Sequence, residues 1–340
     1  MLVAIGLALC SALGLTLSWL TRAAPGEGTL RLVVDPYEGR AELASRLHAE
    51  GLIESPRLFA LYLAVSGEVE PGPHLLARGE SPREVHARLA RAPRRASVQV
   101  TIPEGHHLFQ IAERLEARGI CPREDFVAAA LSRATLNELG IVRGQSVEGY
   151  LFPATYPLLV DSPCIDVIRR LVREMRRRLS TLGESEVARR RGWQEHEVLT
   201  LASMIEKEAQ VADERPLISS VFHNRLDAPE FARRRVLQSD PTSAYLCYLA
   251  PDEVPACAGF KGLVTPALNR DPKNRYSTYV VEGLPPGPIA SPGEASLFAA
   301  LFPAKSDYLF FVAEGGGRHR FTRTYAEHQR AIQGERPEAP

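Results

Sequence analysis

The chain has 340 residues, which is enough for two domains. Hydrophobic residues make up 45% and charged residues 24%, so the chain can bury a core and is not a disordered acidic protein. Basic and acidic residues each total 41, and this zero net charge excludes a strongly basic nucleic-acid-binding protein. The five cysteines form no CxxC pair and no zinc-type cluster with histidine, so we expect no metal site.

The first segment of the chain is apolar. Residues 2–20 carry no charge and no proline, and Arg22 follows them. As a helix this run would be about 28 Å long, close to the roughly 30 Å hydrocarbon core of a bilayer. A cleaved signal peptide is the alternative, but it normally has a shorter apolar region and a basic start. The sequence therefore predicts a retained membrane anchor over residues 1–22, with the rest of the chain on one side of the membrane.

Four cysteines lie beyond this anchor, and a periplasmic location would permit disulfides between them. Cys247 and Cys257 are ten residues apart with two prolines between them, which suits a cross-linked loop. Cys121 and Cys164 are a second candidate pair. Free buried thiols are the alternative for all four.

The first half of the soluble part has the pattern of two small strand–helix–helix units. The predicted elements are a strand over 29–34, helices over 41–50 and 57–65, an extended piece over 74–76, a helix over 82–92, a strand over 96–102, a helix over 107–118 and another helix beginning at Cys121-Pro122. We interpret residues 28–95 as a small α/β module, and residues 96–145 as a second unit that joins it to the main body.

The main body, residues 146–334, mixes helices and strands, which predicts an α+β fold. Helices are predicted from residue 165 and over 194–210 and 216–227. Beyond residue 227 the chain is rich in proline and is predicted to be rich in loops. A buried strand over 308–313, a hairpin over 315–321 and a helix over 325–333 follow, and residues 335–340 are a tail.

Two glutamates in the most apolar predicted helix are the first candidates for chemistry. Glu206 and Glu208 lie two residues apart, so on a helix they point about 200° away from each other and cannot share one site. A carboxyl group in such a helix needs a partner or a function, and burial raises its pKa toward a value useful for a general acid. One glutamate could pair with Arg215 while the other faces a groove. The alternative is that both are exposed.

The other polar segments carry weaker signals. Residues 223–225 (His-Asn-Arg) are typical of a core polar network, and residues 238–242 form a polar loop with a helix start at Asp240. The chain has no HExxH, GxSxG or GxGxxG sequence, and its proline-rich segment 283–292 lacks the lysine of a phosphate-binding loop. The sequence therefore predicts no cofactor.

Ordered motifs along most of the chain resemble one known family. They are Glu148–Tyr156, Leu201–Glu208, Val221–Leu226, Leu237–Thr242, Tyr276–Tyr279, Gly283–Gly293, Tyr308–Ala313 and His319–Thr322 with Glu327-His328. These segments resemble the YceG/MltG-like endolytic murein transglycosylases. The resemblance implies a single-pass inner-membrane protein whose periplasmic body consists of a LysM-like module followed by a catalytic domain.

The resemblance also implies an activity. Enzymes of this family cut the β-1,4 bond between N-acetylmuramic acid and N-acetylglucosamine in peptidoglycan glycan strands and leave a 1,6-anhydro end. The implied partners are nascent glycan strands and the peptidoglycan synthases (penicillin-binding proteins) that make them, with no nucleic acid. Termination of strand elongation is the implied role.

The resemblance implies that Glu208, the second glutamate of its motif, is catalytic. A single carboxyl group suffices for this reaction, because the attacking hydroxyl belongs to the substrate and no water has to be activated. Five further residues are candidates to bind the sugar; they are Gln238, Asp240, Thr242, Tyr276 and Thr278.

The chain departs from the family pattern in two places. Ser277 stands where the family usually has asparagine, and residues 71–74 (Pro-Gly-Pro-His) stand where a LysM-like strand usually has Gly-x-Tyr. Two alternatives stay open. A muramidase would hydrolyse the same bond with Asp240 as its second carboxylate. A non-catalytic glycan-binding scaffold would need no carboxylate at all.

Overall fold

In a computed structural model of the protein, residues 18–34, 38–67, 69–91, 96–227 and 235–334 are described. The predicted anchor lies almost entirely outside the described residues, as does the predicted tail. Within the described ranges, no helix is both long and apolar enough to cross a membrane. The chain divides into two compact units between Ser97 and Val98.

The first unit has the element order β-α-α-β-α. Its elements are β1 (Thr29–Val34), α1 (Arg40–Ala49), α2 (Pro56–Ser66), β2 (Gly72–Ala77) and α3 (Pro82–Leu89). The two strands pair antiparallel, with Thr29 opposite Ala77 and Val34 opposite Gly72. Ser55 and Ser81 cap α2 and α3, and each is followed by a proline in the first helical turn. Every element predicted here from periodicity is confirmed, with bounds within three residues.

The second unit carries the remaining elements. Its helices are α4 (Leu108–Glu116), α5 (Arg123–Leu131), α6 (Arg133–Glu138), α7 (Cys164–Thr181), α8 (Glu186–Arg191), α9 (Glu195–Glu208), α10 (Arg215–Asp227), α11 (Asp240–Leu249), α12 (Pro266–Arg270), α13 (Glu294–Leu301) and α14 (Tyr325–Ile332). Its strands are β3 (Ser97–Thr101), β4 (Thr155–Leu159), β5 (Phe310–Gly315) and β6 (Arg318–Thr322), paired as β3–β4 and β5–β6. The mixed α+β fold predicted for the body is confirmed.

Helix α9 lies at the centre of this unit. A capping box between Gln194 and Glu197 starts it, and all eight residues from Val198 to Ile205 are buried. It packs against α10, α11 and α13. The helix ends at Glu208 because Ala209 has extended backbone dihedrals. Both candidate glutamates thus lie in the last turn of this helix, directly after its buried stretch.

The C-terminal part agrees with the sequence in one respect and differs in another. The segment after residue 227 is rich in loops, as predicted, and among the described residues it also contains the short helices α11, α12 and α13, the first of which begins at the predicted helix start, Asp240. The strand predicted over 308–313 as buried begins at Phe310, and only that residue of β5 is buried. The β5–β6 hairpin packs against α10 and α14 instead of lying inside the core.

One of the two candidate cysteine pairs is bonded. Cys247 and Cys257 form a disulfide, whereas Cys121 and Cys164 are free thiols.

Candidate active site

Glu208 lies at the end of α9 and lines a cavity of about 230 Å³, which we call the catalytic cavity after the role that the sequence predicts for Glu208. The hydroxyl of Ser239 donates a hydrogen bond of 2.5 Å to its Oε1. Burial raises the pKa of the Glu208 carboxyl, and the charge of Asp240 adds to this effect. The Ser239 bond and the charges of His319 and Arg225 act in the opposite direction, but the net pKa stays above the usual value. A carboxyl group in this state can hold a proton and give it up.

Glu206 lies in different surroundings, on another side of the same helix. Its carboxylate contacts Arg215 at 3.3 Å, and both side chains are largely buried. Its other oxygen accepts hydrogen bonds from the Ser296 hydroxyl at 2.7 Å and the Gly293 amide at 3.1 Å. Glu206 therefore joins α9 to α10 and to the start of α13, and it does not line the catalytic cavity.

The walls of the catalytic cavity come from separate parts of the second unit. Besides Glu208, the lining residues are Arg225, Gln238, Asp240, Tyr279, Phe310, Phe311, Tyr325 and His328. The polar side chains come from α10 and the loop before α11, and the aromatic ones mostly from β5 and α14. The His328 ring stacks on Phe310 with 5.0 Å between ring centroids. Polar groups beside aromatic rings suit a sugar, which has both hydroxyl groups and apolar C–H faces.

Two of the five predicted sugar-binding residues line this cavity. Gln238 is exposed and has a positive φ of 51°, and its backbone N–H donates to the Thr278 carbonyl at 3.0 Å. Asp240 is also exposed, and its Oδ1 accepts hydrogen bonds from the Tyr279 hydroxyl at 2.7 Å and from Asn269 at 2.8 Å. These bonds fix the Asp240 carboxylate at the rim of the cavity.

The other three predicted residues, Thr242, Tyr276 and Thr278, are buried and do not line the cavity. Thr278 Oγ1 accepts a hydrogen bond from the Ser239 amide at 2.9 Å, and Thr242 Oγ1 donates to the Ser239 carbonyl at 2.6 Å. The two threonines thus hold the backbone of the residue that contacts Glu208. Tyr276 packs against Tyr245, with ring centroids 5.0 Å apart.

Several residues of the site are not among those that the sequence predicts to be functional. Ser239 belongs to the predicted polar loop, and Arg225 to the predicted polar network of residues 223–225. Arg225 is 5% exposed, and its guanidinium donates to the carbonyls of Leu309 at 2.7 Å and Leu237 at 2.5 Å. Burial lowers its pKa to about 10, so it stays charged at neutral pH. The sequence feature that could have identified Arg225 is its position beside apolar residues in a predicted helix.

No cluster of three metal-ligating side chains occurs among the residues that the structure describes.

Comparisons with known proteins agree with this architecture. The YceG-like family profile matches residues 32–334. A protein of Bacillus subtilis (strain 168) named endolytic murein transglycosylase is 32% identical over 321 residues, which cover 89% of this chain and 84% of the relative. A protein of the same name from Streptococcus pneumoniae serotype 2 is 27% identical over 320 residues, which cover 86% of this chain and 55% of the relative.

A solved structure is also similar. The crystal structure of a YceG-like protein from Listeria monocytogenes aligns with a TM-score of 0.58 at 26% identity, over 90% of this chain and 100% of the other. The profile match spans most of the chain and includes the residues around Glu208. The chain therefore belongs to the YceG-like family, as its motifs predict.

Proposed function

We propose that the protein is an endolytic murein transglycosylase that cuts the β-1,4 bond between N-acetylmuramic acid and N-acetylglucosamine inside glycan strands. The relatives that bear this name support murein as the substrate, and the motifs that resemble the family suggest the bond. The observation that carries the proposal is the Glu208 carboxyl, which has a raised pKa and lines a polar and aromatic cavity. Glu206, its neighbour on the helix, is occupied by Arg215 and two further donors.

The reaction needs one group that first donates and then accepts a proton. Glu208 protonates the bridging oxygen while the bond from that oxygen to the muramic C-1 breaks. The muramic C-6 hydroxyl then attacks C-1 and passes its proton to the Glu208 carboxylate. One C–O bond is broken and one is formed, no water is consumed, and Glu208 regains its starting state. The product is a 1,6-anhydro end.

The surroundings of Glu208 fit both proton transfers. Burial favours the protonated form before cleavage. After cleavage, the Ser239 hydroxyl and the positive charge of Arg225 stabilise the carboxylate. Ser239 also fixes the direction of Oε1, because its own backbone is held by the two buried threonines.

The proposal extends to the setting of the enzyme. We infer an inner-membrane anchor at residues 1–22, a periplasmic body, a LysM-like module over residues 28–95 and contacts with peptidoglycan synthases at nascent strands. The apolar N-terminal run supports the anchor, and the β-α-α-β order of the first unit supports the module. The disulfide between Cys247 and Cys257 suits an oxidising compartment.

The test uses the full chain in detergent on uncrosslinked glycan strands, with mass spectrometry of the new ends. Wild type is expected to produce anhydro ends and Glu208→Gln none. The control is Glu294→Gln, which removes an exposed glutamate that pairs only with Arg178 on the surface and should leave cleavage unchanged. Reducing ends, heavier by one water, would identify a hydrolase. Cleavage by Glu208→Gln at the wild-type rate would refute the role of Glu208.

A further inference from the structure

A second cavity, of about 360 Å³, lies next to the catalytic cavity in the same unit. Its lining residues are His107, Gln110, Lys207, Asp240, Pro241, Ala244, Tyr245, Tyr248, Gly262, Val264 and Ile289. Asp240 lines both cavities, and Lys207 and Glu208, which line one each, are neighbours on α9. The two cavities are therefore adjoining parts of one cleft.

An endolytic enzyme must hold sugars on both sides of the bond it cuts. The catalytic cavity, at about 230 Å³, is smaller than the roughly 300–1,000 Å³ typical of small-molecule sites, whereas the second cavity falls within that range. A strand whose bond lies at Glu208 must continue beyond the catalytic cavity. The second cavity provides space for this continuation of the strand on the far side of Asp240.

An exposed aromatic ring dominates one wall of the second cavity. The Tyr248 side chain is 40% exposed, yet its ring is held by the ring of His107, with centroids 4.4 Å apart, and by the edge of Phe260 at 5.4 Å. The Cys247–Cys257 disulfide fixes the segment on which Tyr248 lies. A rigid, solvent-facing ring of this kind offers an apolar surface at little cost in conformational entropy.

The polar groups of the second cavity also have defined orientations and hydrogen-bonding roles. The backbone N–H of Gln110 donates to His107 Nδ1 at 3.3 Å, and burial lowers the pKa of His107 to about 4. At neutral pH the ring is therefore neutral with its proton on Nε2, which makes that nitrogen a hydrogen-bond donor. Lys207 supplies an exposed ammonium group and Asp240 a carboxylate. Donors and an acceptor beside an aromatic ring match the hydroxyl and acetamido groups of an amino sugar.

We propose that the second cavity is a sugar-binding subsite, which holds an amino sugar of the same glycan strand next to the one at Glu208, with Tyr248 stacking on its ring. This inference rests on the proposed function, since it takes the strand as the substrate.

The test measures binding of uncrosslinked glycan strands to the full chain by calorimetry, in a Glu208→Gln background that prevents cleavage. Tyr248→Ala removes the ring, and Ala244→Leu fills the cavity from α11 without removing any contact. Each is expected to weaken binding about tenfold, which corresponds to about 1.4 kcal/mol. The control is Phe298→Ala, which removes a similarly exposed aromatic ring outside both cavities and should bind as the parent does.

With Glu208 intact, Tyr248→Ala should raise KM and leave kcat within twofold of wild type, because the group that transfers the proton is unchanged. Binding by both cavity variants within twofold of the parent would overturn the subsite while wild-type cleavage still upheld the enzyme. If wild type neither binds nor cleaves strands, the proposed function fails, and the subsite with it.

Discussion

Replacement of Ser239 by alanine tests whether the Glu208 carboxyl is the proton donor. The Ser239 hydroxyl donates a 2.5 Å hydrogen bond to Glu208 Oε1, which stabilises the ionised carboxylate. A hydrogen bond to a charged group contributes about 1.5–3 kcal/mol. Ser239→Ala removes this stabilisation of the ionised form, so it should raise the pKa of the Glu208 carboxyl further above its usual value.

The backbone around Ser239 should survive this change. Its amide and carbonyl, not its hydroxyl, make the hydrogen bonds to Thr278 and Thr242. The assay is the pH dependence of kcat/KM for strand cleavage. Cleavage fails at high pH when the acid loses its proton, so a higher pKa of Glu208 moves the alkaline limb of the profile to higher pH. The maximal rate should fall as well, because Oε1 loses the bond that orients it.

The matched control is Ser296→Ala, which removes an equivalent serine hydroxyl from Glu206. It should leave the alkaline limb in place, even if it lowers stability. An alkaline limb that stays fixed in Ser239→Ala, or that moves to lower pH, would refute the assignment of Glu208 as the acid. A shift of equal size in both variants would refute it too, since a general loss of stability would then explain the result.

Three further predictions concern stability, each measured by urea unfolding. Burial raises the pKa of Glu148 from 4.5 to about 7, so between these pH values the native state keeps a proton that the unfolded chain loses. The free energy of unfolding should therefore fall by about 3 kcal/mol from pH 4.5 to pH 7. In Glu148→Gln this dependence on pH should be much weaker. Replacement of both Cys247 and Cys257 by serine should lower the free energy of unfolding by about 2–3 kcal/mol. An unchanged free energy of unfolding would show that the disulfide does not form. Gly149→Ala should lower the free energy of unfolding by at least about 2 kcal/mol, because φ is +78° and a Cβ would lie 2.3 Å from the Pro288 side chain. A smaller decrease would contradict this packing.

Much of the fold was predictable where local signals agree. The bounds of α9 were predicted within two residues of the observed ones, because its long apolar run makes a helix the only element that fits. The helix α13 was missed for a physical reason. Its eight residues are apolar on nearly every side and follow Pro292-Gly293, so periodicity does not distinguish a short buried helix from a strand or loop.

The site was only partly predictable from sequence. The family motif singles out Glu208, and the polar loop led to Gln238 and Asp240. Thr242 and Thr278 have the same hydroxyl chemistry as a sugar-binding residue, and nothing in the sequence shows that backbone groups of Ser239 already satisfy them. The aromatic wall from β5 and α14 forms only when distant segments pack together, so no local pattern reveals it.

The two glutamates of α9 show how one helix can separate structure from chemistry. The helical period turns their side chains to different surroundings. Glu206 pairs with Arg215 and accepts hydrogen bonds from two further donors, and these contacts join three helices. Glu208 meets one serine hydroxyl, and burial raises the pKa of its carboxyl. A proton donor must not be fully neutralised by its partners, so the smaller set of contacts around Glu208 is what its proposed role as proton donor requires.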